Sequence, residues 1–280
     1  MLSYRHAYHA ANHADVLKHI VQCLILRHLN KKDKPYTIID THSGAGIYDL
    51  KGRFADMKQE YKKGFSRIRD NEKLRELVPE YFQVIDKIRK ENPDLYPGSP
   101  YFSASLMREN DRMLLSDLHP TDEQILFDNF RKDQRINVQR RDGLESLNGI
   151  LPPVPRRGLC FIDPSYEEKN EYYDVAKAVK HALQKWSVGI IAVWYPVLGK
   201  MSDHSKNLTS DLKRLGYPLL QAELNIAPQE EVRGMNGSGM LILNYPYGLY
   251  ETLSPVMQEL YTALCSKDGS AKLKLLIPQE

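Results

Sequence analysis

The stretch GLCFIDPSY, residues 158–166, joins an apolar segment to a polar loop. Gly158–Ile162 is a short apolar run, which is typical of a strand buried on both faces of a parallel sheet. Asp163, Pro164 and Tyr166 follow at its carboxyl end, and open α/β sheets bind their ligands at that end of their strands. The stretch therefore predicts a buried strand that carries polar residues into a cleft.

Other apolar segments alternate with amphipathic helices on both sides of this stretch. The predicted strands are residues 36–40, 113–116, 136–139 and 188–194, and the predicted helices are residues 15–29, 122–130, 172–185 and 202–215. Regular alternation indicates an α/β fold with helices on both faces of a mostly parallel sheet. Residues 219–226 and 239–244 are predicted to form an antiparallel C-terminal pair across a turn at Asn236 and Gly237. This arrangement is more typical of an S-adenosylmethionine methyltransferase than of a dinucleotide dehydrogenase.

The chain length of 280 residues fits one large domain, or one domain with an insertion. Hydrophobic residues make up 42% of the chain and charged residues 27%, so a substantial core can form. No apolar run reaches the ~18 residues of a membrane span, and the N-terminus lacks the apolar region of a secretory signal. Cys23, Cys160 and Cys265 are far apart, which argues against a disulfide framework. These features predict a soluble cytoplasmic protein.

Residues 51–96 interrupt the alternation of strands and helices. They hold no convincing strand, and residues 72–91 have the apolar spacing of a helix. We therefore predict a methyltransferase domain of residues 1–50 and 97–280, with an N-terminal helical segment, and an inserted helical, basic subdomain of residues 51–96. The net charge is only +3, but residues 51–90 carry twelve Lys or Arg against seven Asp or Glu. The insertion is a candidate for gripping RNA phosphates, and a solvated helical surface is the alternative.

Polar and glycine residues follow three of the predicted strands. Gly44 and Gly46 let the backbone approach a ligand, or form an ordinary tight turn; the loop lacks the GxGxxG spacing of nicotinamide dinucleotide sites. Asp117 is placed to bind both hydroxyls of a ribose, or to act as a turn or cap residue. Asp142 and Gly143 are candidates for binding a cofactor's adenine, with a plain turn as the alternative.

The loop after Ile162 carries the candidate catalytic residues. The Asp163 side chain and the Pro164 carbonyl present two acceptors to an exocyclic amine, and the ring of Tyr166 can stack on a base. Considered alone, the same residues have another explanation: Asp163 and Pro164 begin a turn, and Tyr166 belongs to the core. Their position at a strand end favours the catalytic interpretation.

The N-terminal segment is rich in histidine. His6, His9, His13 and His19 suggest a metal site, but no acidic or cysteine ligand lies nearby at a recognised zinc spacing, so we expect no metal. Asn12 is placed to cap the helix that follows. We interpret the segment as part of a cleft lining, with Tyr4 available for base stacking and Lys18 for phosphate. A solvated segment that leads into a helix is the alternative.

Several blocks of the sequence resemble a known family. Asp163-Pro164-Ser165-Tyr166 is similar to the Asp-Pro-Pro-Tyr motif of adenine-N6 methyltransferases. The blocks LSYRHAYHAANHADVLKH (2–19), DTHSGAGIYDL (40–50), YPGSP (96–100), LHP (118–120), PRRGLCFIDPSYE (155–167) and AVWYPV (192–197) resemble the ribosomal RNA large subunit methyltransferase J family, whose members are 23S rRNA adenine-N6 methyltransferases. The resemblance covers essentially the whole chain.

The resemblance implies an S-adenosyl-L-methionine-dependent enzyme of rRNA processing that methylates N6 of one adenine, position 2030, in 23S rRNA. It also implies a Rossmann-like class I methyltransferase fold with an inserted helical subdomain. The family's cofactor contacts fall on His19, His42, Ser99, Asp117, Asp142, Gly143 and Asp163. Asp163 matches the residue that acts on the target amine, and Tyr4 matches a tyrosine that engages the RNA. Two positions depart from the family: Ser165 replaces a second proline, and Asp117 stands where Glu is common.

Two other functions fit parts of the sequence. One is a DNA adenine-N6 methyltransferase, but such enzymes usually add a target-recognition domain, for which no segment is long enough. The other is a non-catalytic RNA-binding protein with this fold, since a fold alone does not establish activity; the complete set of acidic loop residues argues against it. We expect a monomer that binds 23S rRNA and neither a membrane nor a metal.

Overall fold

The computed structural model describes residues 6–229 and 234–279. Their fold is built around a central sheet. The strands of the described residues are β1 (Thr37–Asp40), β2 (Ile47–Asp49), β3 (Leu95–Pro97), β4 (Arg112–Asp117), β5 (Ile136–Arg140), β6 (Gly158–Ile162), β7 (Ile190–Leu198), β8 (Leu219–Asn225), β9 (Met235–Leu243) and β10 (Ser270–Ile277). Eight of them form the central sheet, in the order β10-β8-β9-β7-β6-β1-β4-β5, and β2 pairs with β3 in a separate ribbon.

The direction of the strands confirms the predicted fold class. β5, β4, β1, β6 and β7 are parallel neighbours, whereas β9 runs antiparallel to both β7 and β8. Every residue of β1 and β6 is buried, as expected for strands covered on both faces. The protein is therefore a mostly parallel α/β sheet with antiparallel C-terminal strands.

The C-terminal region differs from the sequence prediction in two places. Asn236 and Gly237 lie within β9, not in a turn, and Gly237 is opposite Asn225 of β8. A Cβ at Gly237 would collide with the Leu224 carbonyl, so the glycine serves the close approach of two strands. The prediction also missed β10, an edge strand antiparallel to β8, in which exposed Lys272 and Lys274 alternate with partly buried residues and obscure the apolar pattern.

The helices of the described residues pack in two groups. They are α1 (His13–Asn30), α2 (Arg53–Lys58), α3 (Phe65–Ile68), α4 (Glu72–Leu77), α5 (Pro79–Glu91), α6 (Ser99–Leu106), α7 (Pro120–Phe130), α8 (Gly143–Ile150), α9 (Asn170–Lys185), α10 (Ser205–Lys213) and α11 (Leu249–Leu264), with single 3-10 turns at His6–Tyr8 and Glu60–Lys63. α1 contacts α6, α11 and β9, whereas α9 contacts α8 and α10. The Asn12 side chain accepts hydrogen bonds from the amides of Ala14 (2.9 Å) and Asp15 (3.0 Å), which confirms the predicted cap of α1.

The ribbon of β2 and β3 bounds the segment that interrupts the alternation. β3 begins at Leu95, so the prediction that residues 51–96 hold no strand is wrong at their carboxyl end, where β3 pairs with β2. The single helix predicted for residues 72–91 is in fact two helices, because Pro79 cannot continue α4 and instead begins α5. The apolar residues Tyr81, Phe82 and Ile85 of α5 are buried in the same cluster as α1. The division into a methyltransferase domain and an insertion stays a prediction. No helix among the described residues is long and apolar enough to cross a bilayer.

Candidate active site

Two cavities lie beyond the carboxyl ends of the parallel strands. The first, of about 350 Å³, we name the acidic cavity, because one ammonium group (Lys18) and seven carboxylates of the described residues line it. The carboxylates belong to Asp117, Asp122, Asp142, Asp163, Glu167, Glu168 and Glu171. Carboxylates in such excess over cations create a negative potential that favours a cationic ligand.

Asp117 is held rigidly at the end of β4. Its Oδ2 accepts a hydrogen bond from the Gly44 amide (2.7 Å) and its Oδ1 accepts one from the His119 amide (2.8 Å). Burial raises the pKa of this carboxyl, and the two amide contacts oppose the rise. Because each carboxylate oxygen can accept a second hydrogen bond, Asp117 is still able to bind a hydroxyl group in the cavity.

His19, His42 and Ser99 line the same cavity. Burial lowers the pKa of His42 to about 4 and that of His19 well below its ordinary value, so both imidazoles are neutral at pH 7. The His19 ring lies 4.8 Å from the Phe102 ring, centroid to centroid. The Ser99 hydroxyl donates to Oδ2 of the buried Asp40 (2.7 Å). These three side chains therefore add neutral, fixed polar groups to the cavity.

Asp142 and Gly143 lie where both interpretations considered for them can apply, and binding of a cofactor's adenine stays a prediction. They line the acidic cavity. The Asp142 side chain also caps α8 by accepting a hydrogen bond from the Glu145 amide (3.0 Å), and a Cβ at Gly143 would collide with the Thr41 carbonyl. The backbone requirements of the turn and of close packing thus explain the residue types without excluding contact with a ligand.

The two glycines of the loop after β1 do not line either cavity. Gly44 and Gly46 have φ values of +59° and +80°, which favour glycine. The Gly44 amide bonds to Asp117, and a side chain at Gly46 would press on Leu126 and Phe130. They therefore shape the loop, and direct contact with a ligand stays a prediction.

The second cavity, of about 450 Å³, we name the aromatic cavity because Tyr166, Trp194 and three histidines (His6, His9, His13) line it. Tyr166 has a φ of +52°, an uncommon conformation for a residue with a side chain. Its hydroxyl donates to the Trp194 carbonyl (2.8 Å). The strained backbone and this hydrogen bond fix the Tyr166 ring against one wall of the cavity.

The two cavities share four lining residues: His6, Lys18, Asp163 and Ser165. The Lys18 ammonium contacts the Asp163 carboxylate on one side and Asp15 Oδ1 (2.8 Å) on the other. Asp15 Oδ2 also accepts from the Ala11 amide (2.7 Å) and lies 3.0 Å from His6 Nε2. A chain of charged groups therefore runs through the junction between the cavities.

The charges at the junction have opposing influences. Burial raises the pKa of Asp163, and the neighbouring Lys18 ammonium opposes that rise. Burial also disfavours the charged form of Lys18, but Asp15 and Asp163 outweigh it and raise the Lys18 pKa above its ordinary value. Lys18 is only 4% exposed. It is thus a buried partner of Asp163 that lines both cavities, and its predicted contact with a phosphate stays a prediction.

The remaining predicted residues are less directly placed. Pro164 is buried and lines neither cavity, so its carbonyl as an acceptor stays a prediction. Ser165, where the related motif has a proline, donates from its hydroxyl to Glu171 (3.4 Å), which links the loop to α9. Tyr4 lies outside the described residues. Within residues 6–229 and 234–279, no three His, Cys, Asp or Glu side chains are grouped to hold a metal ion.

Sequence reasoning did not assign Asp15 or Trp194 to the site. A signal for Asp15 was present, because Asp15, Lys18, His19 and Gln22 recur at the spacing of one helix face and all four are buried. Polar residues on the buried face of an apolar helix need partners, and such partners are common at functional sites. Trp194 lies in the block AVWYPV (192–197) that carries part of the family resemblance, but that block gave the residue no role.

Known proteins resemble this chain over its whole length. The family model described as "Ribosomal RNA large subunit methyltransferase D, RlmJ" matches residues 33–277. Proteins named ribosomal RNA large subunit methyltransferase J from Escherichia coli (strain K12) and Haemophilus influenzae are 40% and 38% identical, over 100% of both chains in each case. The crystal structure of protein LPL1258 from Legionella pneumophila has a TM-score of 0.88 at 38% identity and covers 95% of this chain and 98% of its own. This chain belongs to the ribosomal RNA large subunit methyltransferase J family.

Proposed function

We propose that this protein transfers a methyl group from S-adenosyl-L-methionine to N6 of one adenine, position 2030, in 23S ribosomal RNA. The observation that carries the proposal is the meeting of the acidic and aromatic cavities at Asp163. A methyl transfer between two bound molecules needs two adjoining pockets that present the donor and the acceptor to each other.

The acidic cavity is suited to the cofactor because S-adenosylmethionine carries a net positive charge, with a sulfonium and an ammonium against one carboxylate. When bound, it supplies a methyl group activated by the positively charged sulfur. We assign Asp117 to the ribose hydroxyls, and Asp142 with Gly143 to the cofactor's adenine. The other contacts are assigned to His19, His42, Ser99 and Asp163, all of which line this cavity.

The aromatic cavity is suited to a base turned out of the RNA. Unstacking a base costs a few kcal/mol, which contacts with aromatic faces offset. Tyr166 supplies such a face, and Trp194 lies beside it in the cavity lining. Lys58 and Lys63, from the helical insertion, also line this cavity and extend positive charge toward the phosphates on either side of the base.

Asp163 acts on the amine directly. The lone pair of an adenine amine is delocalised into the ring, so the amine is a weak nucleophile. A hydrogen bond from the amine to the Asp163 carboxylate favours localisation of the lone pair and orients the nitrogen, with the Pro164 carbonyl as the second proposed acceptor. Lys18 favours the ionised form of Asp163 and holds it in place, and Asp163 can accept the amine proton after attack.

The two alternatives remain distinguishable from this proposal. A DNA adenine-N6 methyltransferase would modify DNA in the same assay, and a non-catalytic RNA-binding protein would modify nothing. We also propose that the protein acts as a monomer in the cytoplasm; the separate free thiols of Cys23, Cys160 and Cys265 support a reducing compartment.

The test is methyl transfer from labelled S-adenosylmethionine to protein-free 23S rRNA, to assembled precursor particles and to DNA, followed by mapping of the labelled nucleotide. We expect label at N6 of one rRNA adenine. Asp163→Ala should abolish transfer while the protein stays folded, because Lys18 keeps its other partner, Asp15. Label in DNA alone, or substantial turnover by the folded variant, would contradict the proposal.

A further inference from the structure

Trp194 has a buried indole N–H without a hydrogen-bond partner among the described residues. The side chain lies on β7, is 8% exposed and lines the aromatic cavity. An unsatisfied buried donor costs free energy and is uncommon in folded proteins. The chain's other tryptophan, Trp186, follows the usual rule, since its indole N–H donates to the Arg156 carbonyl. The free donor of Trp194 therefore indicates that a ligand completes it.

The Trp194 side chain lines the same cavity as the Asp163 carboxylate. The Lys18 ammonium, which contacts Asp163, lies 5.8 Å from the centroid of the Trp194 ring. The rings of Tyr166 and Trp194 are 5.9 Å apart, centroid to centroid, and the Tyr166 hydroxyl bonds to the Trp194 carbonyl. The Trp194 ring is thus held next to Tyr166, the residue proposed to stack on the base.

A second residue that lines this cavity, His13, is 5% exposed, and its ring nitrogen Nε2 also has no partner among the described residues. Two residues of one cavity lining with unpartnered polar atoms indicate a ligand that has hydrogen-bonding groups along its own edge. A purely apolar ligand would leave both atoms unsatisfied. A nucleobase has the required combination of flat faces and polar edges.

Adenine presents a distinctive pattern at its reactive edge. The N6 amine donates hydrogen bonds, and the ring nitrogens on its two sides, N1 and N7, both accept them. Guanine has an accepting oxygen at the position of N6, and its N1 is a donor. A protein site with a hydrogen-bond acceptor facing N6 and a donor facing N1 or N7 therefore matches adenine. The same acceptor would face the oxygen of guanine, so guanine is rejected.

We propose that Trp194 is a specificity-determining residue for the target base: its indole N–H donates to N1 or N7 of the adenine whose N6 amine donates to Asp163. The assignment rests on the proposed function, because it requires that the aromatic cavity receives the target adenine. It adds a hydrogen bond that selects the base to the contacts already proposed for methyl transfer.

The test uses RNA substrates in which the target adenosine is replaced by 1-deazaadenosine or 7-deazaadenosine. Each analogue keeps the N6 amine and removes one ring acceptor. We expect one analogue to lower kcat/KM of the native protein by about tenfold, the usual effect of losing one hydrogen bond. Trp194→Phe keeps a ring but has no donor, so it should lower kcat/KM for adenosine and treat that analogue and adenosine alike. The matched control Trp186→Phe removes the other indole N–H and should keep the native discrimination.

A binding measurement on the native protein gives an independent reading. Indole fluorescence reports the binding of adenosine monophosphate and its two deaza analogues without any reaction, and one analogue should bind about tenfold more weakly. Equal affinities and equal kcat/KM for all three, or unchanged discrimination by folded Trp194→Phe, would overturn the assignment of Trp194. Failure of the native protein to methylate unmodified rRNA would instead overturn the proposed function.

Discussion

At the scale of single residues, the arrangement around Lys18 has the largest energetic consequence. Its ammonium is buried between the carboxylates of Asp15 and Asp163. Separating charges from water is costly, and the mutual contacts and hydrogen bonds of the group offset that cost. Removing the cation would leave two like charges close together in a buried site. Lys18 is therefore the member of this group whose removal should destabilise the fold most.

We predict that Lys18→Met lowers the free energy of unfolding by about 3–5 kcal/mol at pH 7, the usual cost of breaking a buried ion pair. The loss should be smaller at pH 5, where protonation relieves the unpaired carboxylates. Urea unfolding at both pH values measures this. The control is Lys58→Met, which removes an exposed ammonium of the aromatic cavity and should cost less than about 1 kcal/mol. Equal effects of the two substitutions would refute the prediction.

At the scale of elements, α1 and the helical insertion build the aromatic cavity together. α1 provides His13, Asp15 and Lys18, and the insertion provides Lys58 and Lys63. The buried polar residues Asp15 and Lys18 of α1 line the cavity, while α1 itself packs against α6 and β9. The exposed side chains of the insertion carry positive charge at the opening of the cavity, where RNA phosphates would pass.

We predict that reversing three exposed charges of the insertion, in the combined variant Lys62→Glu, Lys63→Glu and Arg67→Glu, weakens RNA binding and lowers its salt dependence. Each lost phosphate contact should reduce the slope of log affinity against log salt by about 0.7–0.9. Filter binding or fluorescence anisotropy measures both quantities. The measurements run from about 50 to about 300 mM salt, where this effect is large.

The control for that variant reverses three exposed lysines elsewhere, Lys206 and Lys213 on α10 and Lys274 on β10. It changes the net charge equally but touches neither cavity. If both triple variants reduce affinity and slope to the same extent, the effect is one of net charge and the insertion has no special role.

At the scale of the whole molecule, buried titratable groups around the acidic cavity couple folding to pH. Burial lowers the pKa of His42 to about 4, below the ~6.5 of an unfolded chain, so the folded state binds fewer protons between these values. Stability from His42 is complete above pH 6.5 and is lost as the pH falls. Burial raises the pKa of Asp40 to about 7, and this group has the opposite effect: its stability is lost as the pH rises from about 4 to 7.

We predict that His42→Asn loses less stability than the native protein when the pH falls from 7 to 5, by about 2 kcal/mol, because the proton uptake of the unfolded histidine is gone. Asp40→Asn should lose more than the native protein over the same interval. Unfolding midpoints and free energies at pH 7, 6 and 5 provide the comparison. Parallel pH curves for the three proteins would show that neither group is buried as the structure has it.

The sequence by itself determined the alternation of strands and helices, the strand that ends at Asp163 and the family of the chain. These features depend on local periodicity and on short motifs, which are written in neighbouring residues. Two predictions near the C-terminus were wrong: a turn was expected at Asn236 and Gly237, which lie in β9, and the edge strand β10 was missed. Close strand approach and pairing at a sheet edge involve residues distant in sequence.

Only the tertiary structure decided how the site is assembled. Lys18 and Asp163 are 145 positions apart, and their contact requires that α1 pack across the end of the sheet. The same packing buries Asp15 with its ammonium partner and brings the acidic and aromatic cavities together at their shared lining residues. Among the described residues, it leaves the Trp194 indole N–H without a partner. Burial and charge pairing depend on the surroundings in three dimensions, so a one-dimensional pattern supplies the groups but not their partners.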